Sequence, residues 1–210
     1  MATNDKHRSY TVQVLSPERT EEALDVLCDS FYDYPVMRHV VGDVGDDYDG
    51  KLRTLIGFFL AARVLREEPM LAVIDEGRVV AVAILTTPGD KEAPPALAER
   101  REIVWGELGN AARERYEKLG QIWQQFTIPE SHYHLNMIGV SRSHAGSGLG
   151  RLLLDAVHDL SRNAPDSSGV SLTTEDPANV SLYEYFGYEV VGNARFSPEY
   201  ETWAFFRRDS

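Results

Sequence analysis

Only one cysteine, Cys28, stands in 210 residues, which leaves no partner for an internal disulfide and no CxxC pair for a metal or redox site. Long apolar runs are missing as well. The longest, Val79 to Leu85, is far too short to span a bilayer. Met1 to Tyr10 are polar and mixed in charge, without the apolar stretch of a signal peptide, so a cytoplasmic protein with no membrane partner is expected. Basic residues are scarce: 21 Lys and Arg face 33 Asp and Glu, for a net charge of -12. Such a surface repels nucleic acid, which needs clustered cations against its phosphates. It admits cationic small molecules or basic peptides, and it also serves plain solubility. Repeats, low-complexity tracts and Pro/Gly-rich linkers are absent too. With 43% apolar residues, one α/β domain over residues 1–210 is the expectation, and a homodimer is compatible with it.

What is present reads as alternating strands and helices. Tyr10 to Leu15 has strand character, and Ser16-Pro17-Glu18 then marks a helix start. The helix carries Ala23, Val26, Leu27 and Phe31 at helical spacing and ends by Pro35. A second helix spans about Lys51 to Glu67 with a broad apolar face. Met70 to Asp75 and Arg78 to Leu85 form a hairpin about Glu76-Gly77, and their continuous apolar runs predict burial on both faces. Residues 88–130 form a charged helical insert, Ala96 to Leu108 and Ala111 to Phe126. After it come a strand (His132 to Val140), a helix (Gly148 to Ser161), a strand (Val170 to Thr174), a short helix (Pro177 to Phe186, closed by Gly187) and two strands (Tyr188 to Val191, Thr202 to Phe206). This order predicts a mixed, mostly antiparallel sheet with helices on both faces.

The most informative stretch is the turn after Val140. Gly146, Gly148 and Gly150 lie where a strand gives way to a helix. Glycines let a ligand approach the backbone, and the unpaired N–H groups of a first helical turn attract anions, so the segment is physically a pyrophosphate cradle. A Walker A loop is excluded because Arg151-Leu152 follow Gly150 where Lys-Ser/Thr is needed. A Rossmann GxGxxG is excluded because Arg151 takes its last glycine position. Arg151 is a cation in a first helical turn, a conflict with the helix dipole that bound phosphate would remove.

The segment Ala145-Gly146-Ser147-Gly148-Leu149-Gly150 resembles the Gln/Arg-x-x-Gly-x-Gly/Ala turn of the GNAT acetyltransferases, with Ala145 in place of the usual Gln or Arg. The resemblance implies the GNAT fold and acetyl-coenzyme A as co-substrate. Coenzyme A would be bound by residues 145–151, with the main chain of Ile138, Gly139 and Val140 pairing with its pantetheine arm like an added strand. A second family pattern lies downstream in Asn179-Val-Ser-Leu-Tyr183 and Gly187-Tyr188, where Tyr188 replaces the usual Phe. Asn179 and Tyr183 are spaced i, i+4 and share one helical face. The family likeness implies that both reach the cofactor and that Tyr183 serves the leaving thiolate, chemistry within reach of a phenol. Taken alone, a tyrosine on a short amphipathic helix is as well explained by core packing. Ser30 to His39, Thr86-Thr87-Pro88 and the helical insert resemble the puromycin N-acetyltransferase-type branch, although Thr173 stands where those relatives often have Glu.

For the base that deprotonates an amine, two residues compete. Strand alternation puts His132, His134, Asn136, Ile138 and Val140 on one face, and His134 falls where histone-type members of the family hold a glutamate. Glu175, just past a strand end, is the rival, and ordered water is a third route. His132 and His134 lack a third ligand at useful spacing, so no metal is expected. The acidic run Asp43 to Asp49 lacks the glycine and final glutamate of a calcium loop. The reading is thus an N-acetyltransferase moving acetyl to a small-molecule amine by direct attack in a ternary complex. Its pocket is expected from residues 31–39, the following helix and the insert. A protein or peptide acetyltransferase and a non-catalytic acyl-coenzyme A sensor remain as alternatives.

Overall fold

The computed structural model describes residues 9–89 and 91–209. Most of the N-terminal stretch read above as lacking a signal peptide lies outside the described residues. Strand β1 (Val12–Val14) leads through a 3-10 turn at Pro17–Arg19 into α1 (Thr20–Phe31). Then come α2 (Pro35–Val41), α3 (Tyr48–Leu65), β2 (Met70–Asp75), β3 (Arg78–Thr86), α4 (Pro95–Leu108) and α5 (Asn110–Trp123). The chain finishes with β4 (Tyr133–Val140), α6 (Leu149–Arg162), β5 (Gly169–Thr174), α7 (Ala178–Tyr185), β6 (Glu189–Arg195) and β7 (Glu201–Arg208). Helix α2 is absent from the sequence-based reading, which let Pro35 end a helix. Here Pro35 occupies the first turn of a new one, a position that needs no N–H, after an extended Tyr34. Among the described residues, no helix is long and apolar enough to cross a membrane.

The strands form one sheet in the order β1-β2-β3-β4-β5-β7-β6. Every neighbouring pair is antiparallel except β4 with β5, so the expected mixed, mostly antiparallel α/β architecture stands. Two cores flank it. On one face α1 to α5 pack Leu27, Leu52, Ile56, Leu60 and Leu119 against Val82, Ile84 and Met137. On the other, α6 presents Leu149, Leu153 and Val157 to Ala83, Leu85, Leu135 and Phe205. Central strand β3 feeds both cores, which is why it reads as an unbroken apolar run.

Two departures from regularity position the site. Parallel pairing of β4 with β5 covers Tyr133, His134 and Leu135 against Val170, Ser171 and Leu172, with no pairing beyond. The two strands therefore part toward their C-terminal ends. The second is a bulge: Ile84 is opposite Met137 but Leu85 is opposite Leu135, which leaves Asn136 as an extra residue in β4. The bulge reverses the alternation. Tyr133 and Leu135 pack into the α6 core, Met137 into the opposite core, and Ile138 and Val140 return to the α6 side. The strict period of two that placed His134, Asn136, Ile138 and Val140 on one face is corrected by this single inserted residue.

At Gly139 helix α1 lies close on β4. A Cβ there would sit 3.0 Å from the Ser30 Cβ and 3.1 Å from Leu27 Cδ2. Gly139→Ala should therefore push α1 outward and destabilise the protein by about 1–3 kcal/mol. For a chain of this size that is a fall in Tm of roughly 2–4 °C per kcal/mol, readable by scanning calorimetry. An unchanged Tm would mean that α1 has slack at this contact.

Candidate active site

Where β4 and β5 separate, a cavity of about 650 Å³ opens into the molecule. One wall comes from residues 31–40, where Phe31, Tyr34 and Met37 face inward, and α3 adds Phe59 and Arg63. The insert contributes Tyr116, Trp123 and Phe126, while the floor holds His134, Asn136, Glu175, Asn179 and Tyr183. The chain folds this way for local reasons. Tyr34 stands extended before Pro35, and its hydroxyl reaches across to Thr174 Oγ1 at 2.7 Å and accepts the Glu175 N–H at 3.0 Å. That contact ties the α1–α2 junction to the end of β5. Tyr34 has no role in the sequence-based reading, since its partners lie 140 residues away.

Glu175 is 4% exposed, and its Oε1 accepts a hydrogen bond from Thr202 Oγ1 at 2.8 Å. Thr202 in turn accepts from the Trp123 indole at 3.2 Å. The end of the helical insert and strand β7 thus converge on one carboxyl group. Burial pushes that carboxyl up to about 7, and hydrogen bonds, first that of Thr202, oppose the shift only in part. The rival, His134, donates to or accepts from Ser171 Oγ at 2.8 Å through Nδ1. Burial, followed by the nearby charges of His132 and Arg63, lowers it to about 4. His134 is therefore neutral at pH 7 and a weak base, whereas Glu175 titrates where a general base is most effective.

Tyr183 and Asn179 come together as their spacing required. Asn179 Nδ2 lies 3.3 Å from Thr174 Oγ1, so it is tied to the end of β5. Tyr183 is packed edge-on between Tyr188 and Phe205, with ring centroids 5.7 and 5.6 Å away. Burial, with a smaller contribution from the Glu175 charge, pushes its phenol up to about 12, so the hydroxyl stays protonated and able to donate. Packing and lining of the cavity are combined in this one side chain.

At the far end of β4, a short 3-10 turn (Arg142–His144) leads into the glycine turn. Gly146 and Gly148 have φ of 76° and 81°, and a Cβ at either would meet nothing within 4 Å. Their requirement is conformational rather than steric. Gly148 gives α6 no side-chain cap, which leaves the first-turn N–H groups of Leu149, Gly150 and Arg151 without intrahelical acceptors. The turn is anchored from outside: the Arg142 N–H donates to Asp29 Oδ2 at 2.7 Å, and His144 Nε2 lies 3.1 Å from Asp75 Oδ2. Ala145 and Ser147 hydrogen-bond back within the turn through their N–H groups. Arg151 is exposed, 3.8 Å from Asp155. Between turn and cavity runs the open edge of β4. Ser141 N–H bonds to Val80, so by the antiparallel alternation Gly139 faces β3, while the main-chain groups of Ile138 and Val140 point toward the gap.

This arrangement suits an elongated ligand with an anionic head at the glycine turn, an amide-bearing arm along β4 and a reactive end in the cavity. Among the described residues, no three His, Cys, Asp or Glu side chains group to hold a metal ion. His132 Nδ1 is instead engaged by the Glu130 carbonyl.

Residues 107–199, a little under half of the chain, match the family described as "Acetyltransferase (GNAT) domain". Among solved structures, a histone acetyltransferase HPA2 and related acetyltransferase from Corynebacterium glutamicum superposes with a TM-score of 0.71 at 20% identity, covering 96% of this chain and 97% of that one. An agmatine N-acetyltransferase superposes with a TM-score of 0.63 at 19% identity, covering 95% and 99%. The chain is also 26% identical over 175 residues to a probable serine/threonine-protein kinase of Dictyostelium discoideum, taking in 75% of this chain. It spans only 18% of that larger protein's length, and the kinase activity is the larger protein's own. The fold is the GNAT fold, and residues 107–199 match an acetyltransferase domain of that type.

The buried carboxyl has a consequence for stability. A glutamate raised to about 7 in the folded protein but ordinary when unfolded releases its proton on unfolding between those values. Stability should therefore fall as pH rises from about 4.5 to 7, and level off above. Glu175→Gln should lack this fall, gaining on the native protein by an amount on the order of 3 kcal/mol across that window. Parallel stability–pH curves for the two proteins, from urea titrations, would contradict the raised carboxyl.

Proposed function

We propose that this protein is an acetyltransferase that moves acetyl from acetyl-coenzyme A to a primary amine of a small molecule by direct attack in a ternary complex. The observation that carries the proposal is the convergence of Glu175, Asn179 and Tyr183 on the gap between β4 and β5, in line with the open edge of Ile138 and Val140 and the uncapped start of α6. When bound, acetyl-coenzyme A supplies an acetyl group activated as a thioester. The residues present fit it: within residues 145–151, N–H donors for a pyrophosphate at the uncapped first turn, Leu149, Gly150 and Arg151, while those of Ala145 and Ser147 are spent within the turn, and unpaired main-chain groups for an amide arm. Enclosure by helices α2, α3 and α5 favours a small acceptor over a protein tail, and the volume is that of a small-molecule site. Inward-facing Phe31, Tyr34 and Met37 support the finer likeness to the puromycin N-acetyltransferase-type branch, in the sense of a bulky acceptor.

In this reading Glu175, ionised above about pH 7, takes a proton from the acceptor ammonium and passes it to solvent. The freed nitrogen forms its bond to the acetyl carbon as the carbon–sulfur bond breaks, and the proton that the nitrogen then loses goes to the departing thiolate, which leaves as the thiol. Tyr183 stays protonated and donates a hydrogen bond to the departing sulfur. Thr202 and Trp123 hold the Glu175 carboxyl in place, and His134 is a neutral wall of the site.

Thiol release on an amine panel tests this. Tyr183→Phe should lower kcat by roughly 100-fold while the Kd for coenzyme A moves less than about threefold. Equal turnover would remove Tyr183 from the mechanism. In kcat/KM against pH, the native limb near 7 should vanish in Glu175→Gln and persist in His134→Gln. The reverse pattern would make His134 the base.

A further inference from the structure

The cavity holds one cation that the acetyl-transfer chemistry leaves without employment. Arg63, near the end of α3, lines the wall and donates through Nη1 to Thr86 Oγ1 and, at 2.8 Å, to Asn136 Oδ1. Its Nε is buried without an acceptor among the described residues. No described carboxylate lies within 4.0 Å of its guanidinium, although acidic residues outnumber basic ones 33 to 21 and arginines such as Arg19, Arg53 and Arg113 all end on one. Glu68, the negative charge that acts on it most, is directed elsewhere, accepting the Thr87 N–H at 2.8 Å with Lys91 at 3.8 Å. Arg66 and Thr87 also carry a buried polar atom without a described partner, but neither lines the cavity.

Asn136, the bulge residue, adds to this. Its Oδ1 accepts from both Arg63 and Thr86, the latter at 3.0 Å, which fixes the amide so that Nδ2 is the end left over. Beyond Nη1, which Thr86 and Asn136 already meet, the wall offers N–H donors from a guanidinium and an amide side by side. That is the donor set of a carboxylate site. Glu175 is the sole carboxyl among the described residues that line the cavity, and much of the remaining wall is apolar or aromatic, with Phe31, Phe59, Tyr116, Trp123 and Phe126.

Resting on the acetyltransferase reading above, we infer that the acceptor is an amino carboxylate with an apolar or aromatic body, its carboxylate received by Arg63 and Asn136 and its amine turned to Glu175. A zwitterion matches the two charged groups of the cavity in sign. An acceptor with a second cation, such as a guanidinium-bearing amine, would bring that charge to Arg63 with no carboxylate to meet it. The likeness to an agmatine N-acetyltransferase is one of fold, at 19% identity, and carries no acceptor over to this chain.

The test compares matched acceptors: phenylalanine with phenethylamine, which lacks only the carboxylate, then leucine, methionine and agmatine. Binding to the protein saturated with coenzyme A is measured by calorimetry, and turnover by thiol release from acetyl-coenzyme A. At least one amino carboxylate should bind and react about tenfold or more better than its decarboxylated partner, the size of a charge-assisted pair, and agmatine should be poor. Arg63→Gln should bring the ratio of kcat/KM within a pair close to one, chiefly through KM, and Arg63→Lys should restore part of it. The comparison within the native protein stands even if Arg63→Gln fails to fold. Amines or agmatine used as well as every amino carboxylate, or no binding of any amino carboxylate at millimolar concentration, would overturn the inference while leaving acetyl transfer intact. Failure of coenzyme A itself to bind would instead overturn the reading on which it rests.

Discussion

Parallel pairing between β4 and β5 lasts for three residue pairs, and the rest of the molecule is arranged around the gap beyond them. A sheet that opens in its middle exposes main-chain N–H and C=O groups that ordinary folding would pair, a cost of burial unless something takes their place. Here the exposed groups belong to Ile138 and Val140, and the gap runs from an uncapped helix start to an enclosed cavity. The bulge at Asn136 is part of the same construction. It turns Ile138 and Val140 toward α6 for packing while delivering His134 and Asn136 to the opposite wall.

Around this gap the charges are kept few and mostly buried. Glu175 is held by Thr202 and, through it, by Trp123, so its carboxyl is positioned by an insert helix and by the strand β7 beside β5. Desolvation shifts three titrating side chains near it: it raises Glu175 and Tyr183, and it lowers His134. One physical cause thus separates the three in the way the proposed roles of base, donor and neutral wall require. Tyr34 completes the frame by linking the start of α2 to the end of β5, across the cavity.

Much of this was legible in the sequence because it is local. Hairpin β2–β3, the glycine turn and the i, i+4 pair Asn179/Tyr183 depend on neighbours within a few residues, and they are where the spacing put them. Helix α2 was missed because a proline ends one helix or begins another according to context that a single sequence does not display. The facing of Ile138 and Val140 was misread because a bulge adds one residue without any marker in composition. The choice between His134 and Glu175 was left open because it depends on burial and on Thr202 and Trp123, contributed by distant segments. The donor set of Arg63 and Asn136 was invisible for the same reason: helix, bulge and β3 meet only in the folded chain.

We propose that the gap between β4 and β5 and the glycine turn together form a coenzyme A site. Thermal unfolding with acetyl-coenzyme A, free coenzyme A and NAD tests it most directly. Either coenzyme A species at about 100 times its Kd should stabilise the protein by roughly 2.7 kcal/mol, and NAD, which shares a pyrophosphate but lacks the pantetheine arm, should not. No shift with millimolar coenzyme A, or an equal shift with NAD, would contradict the account.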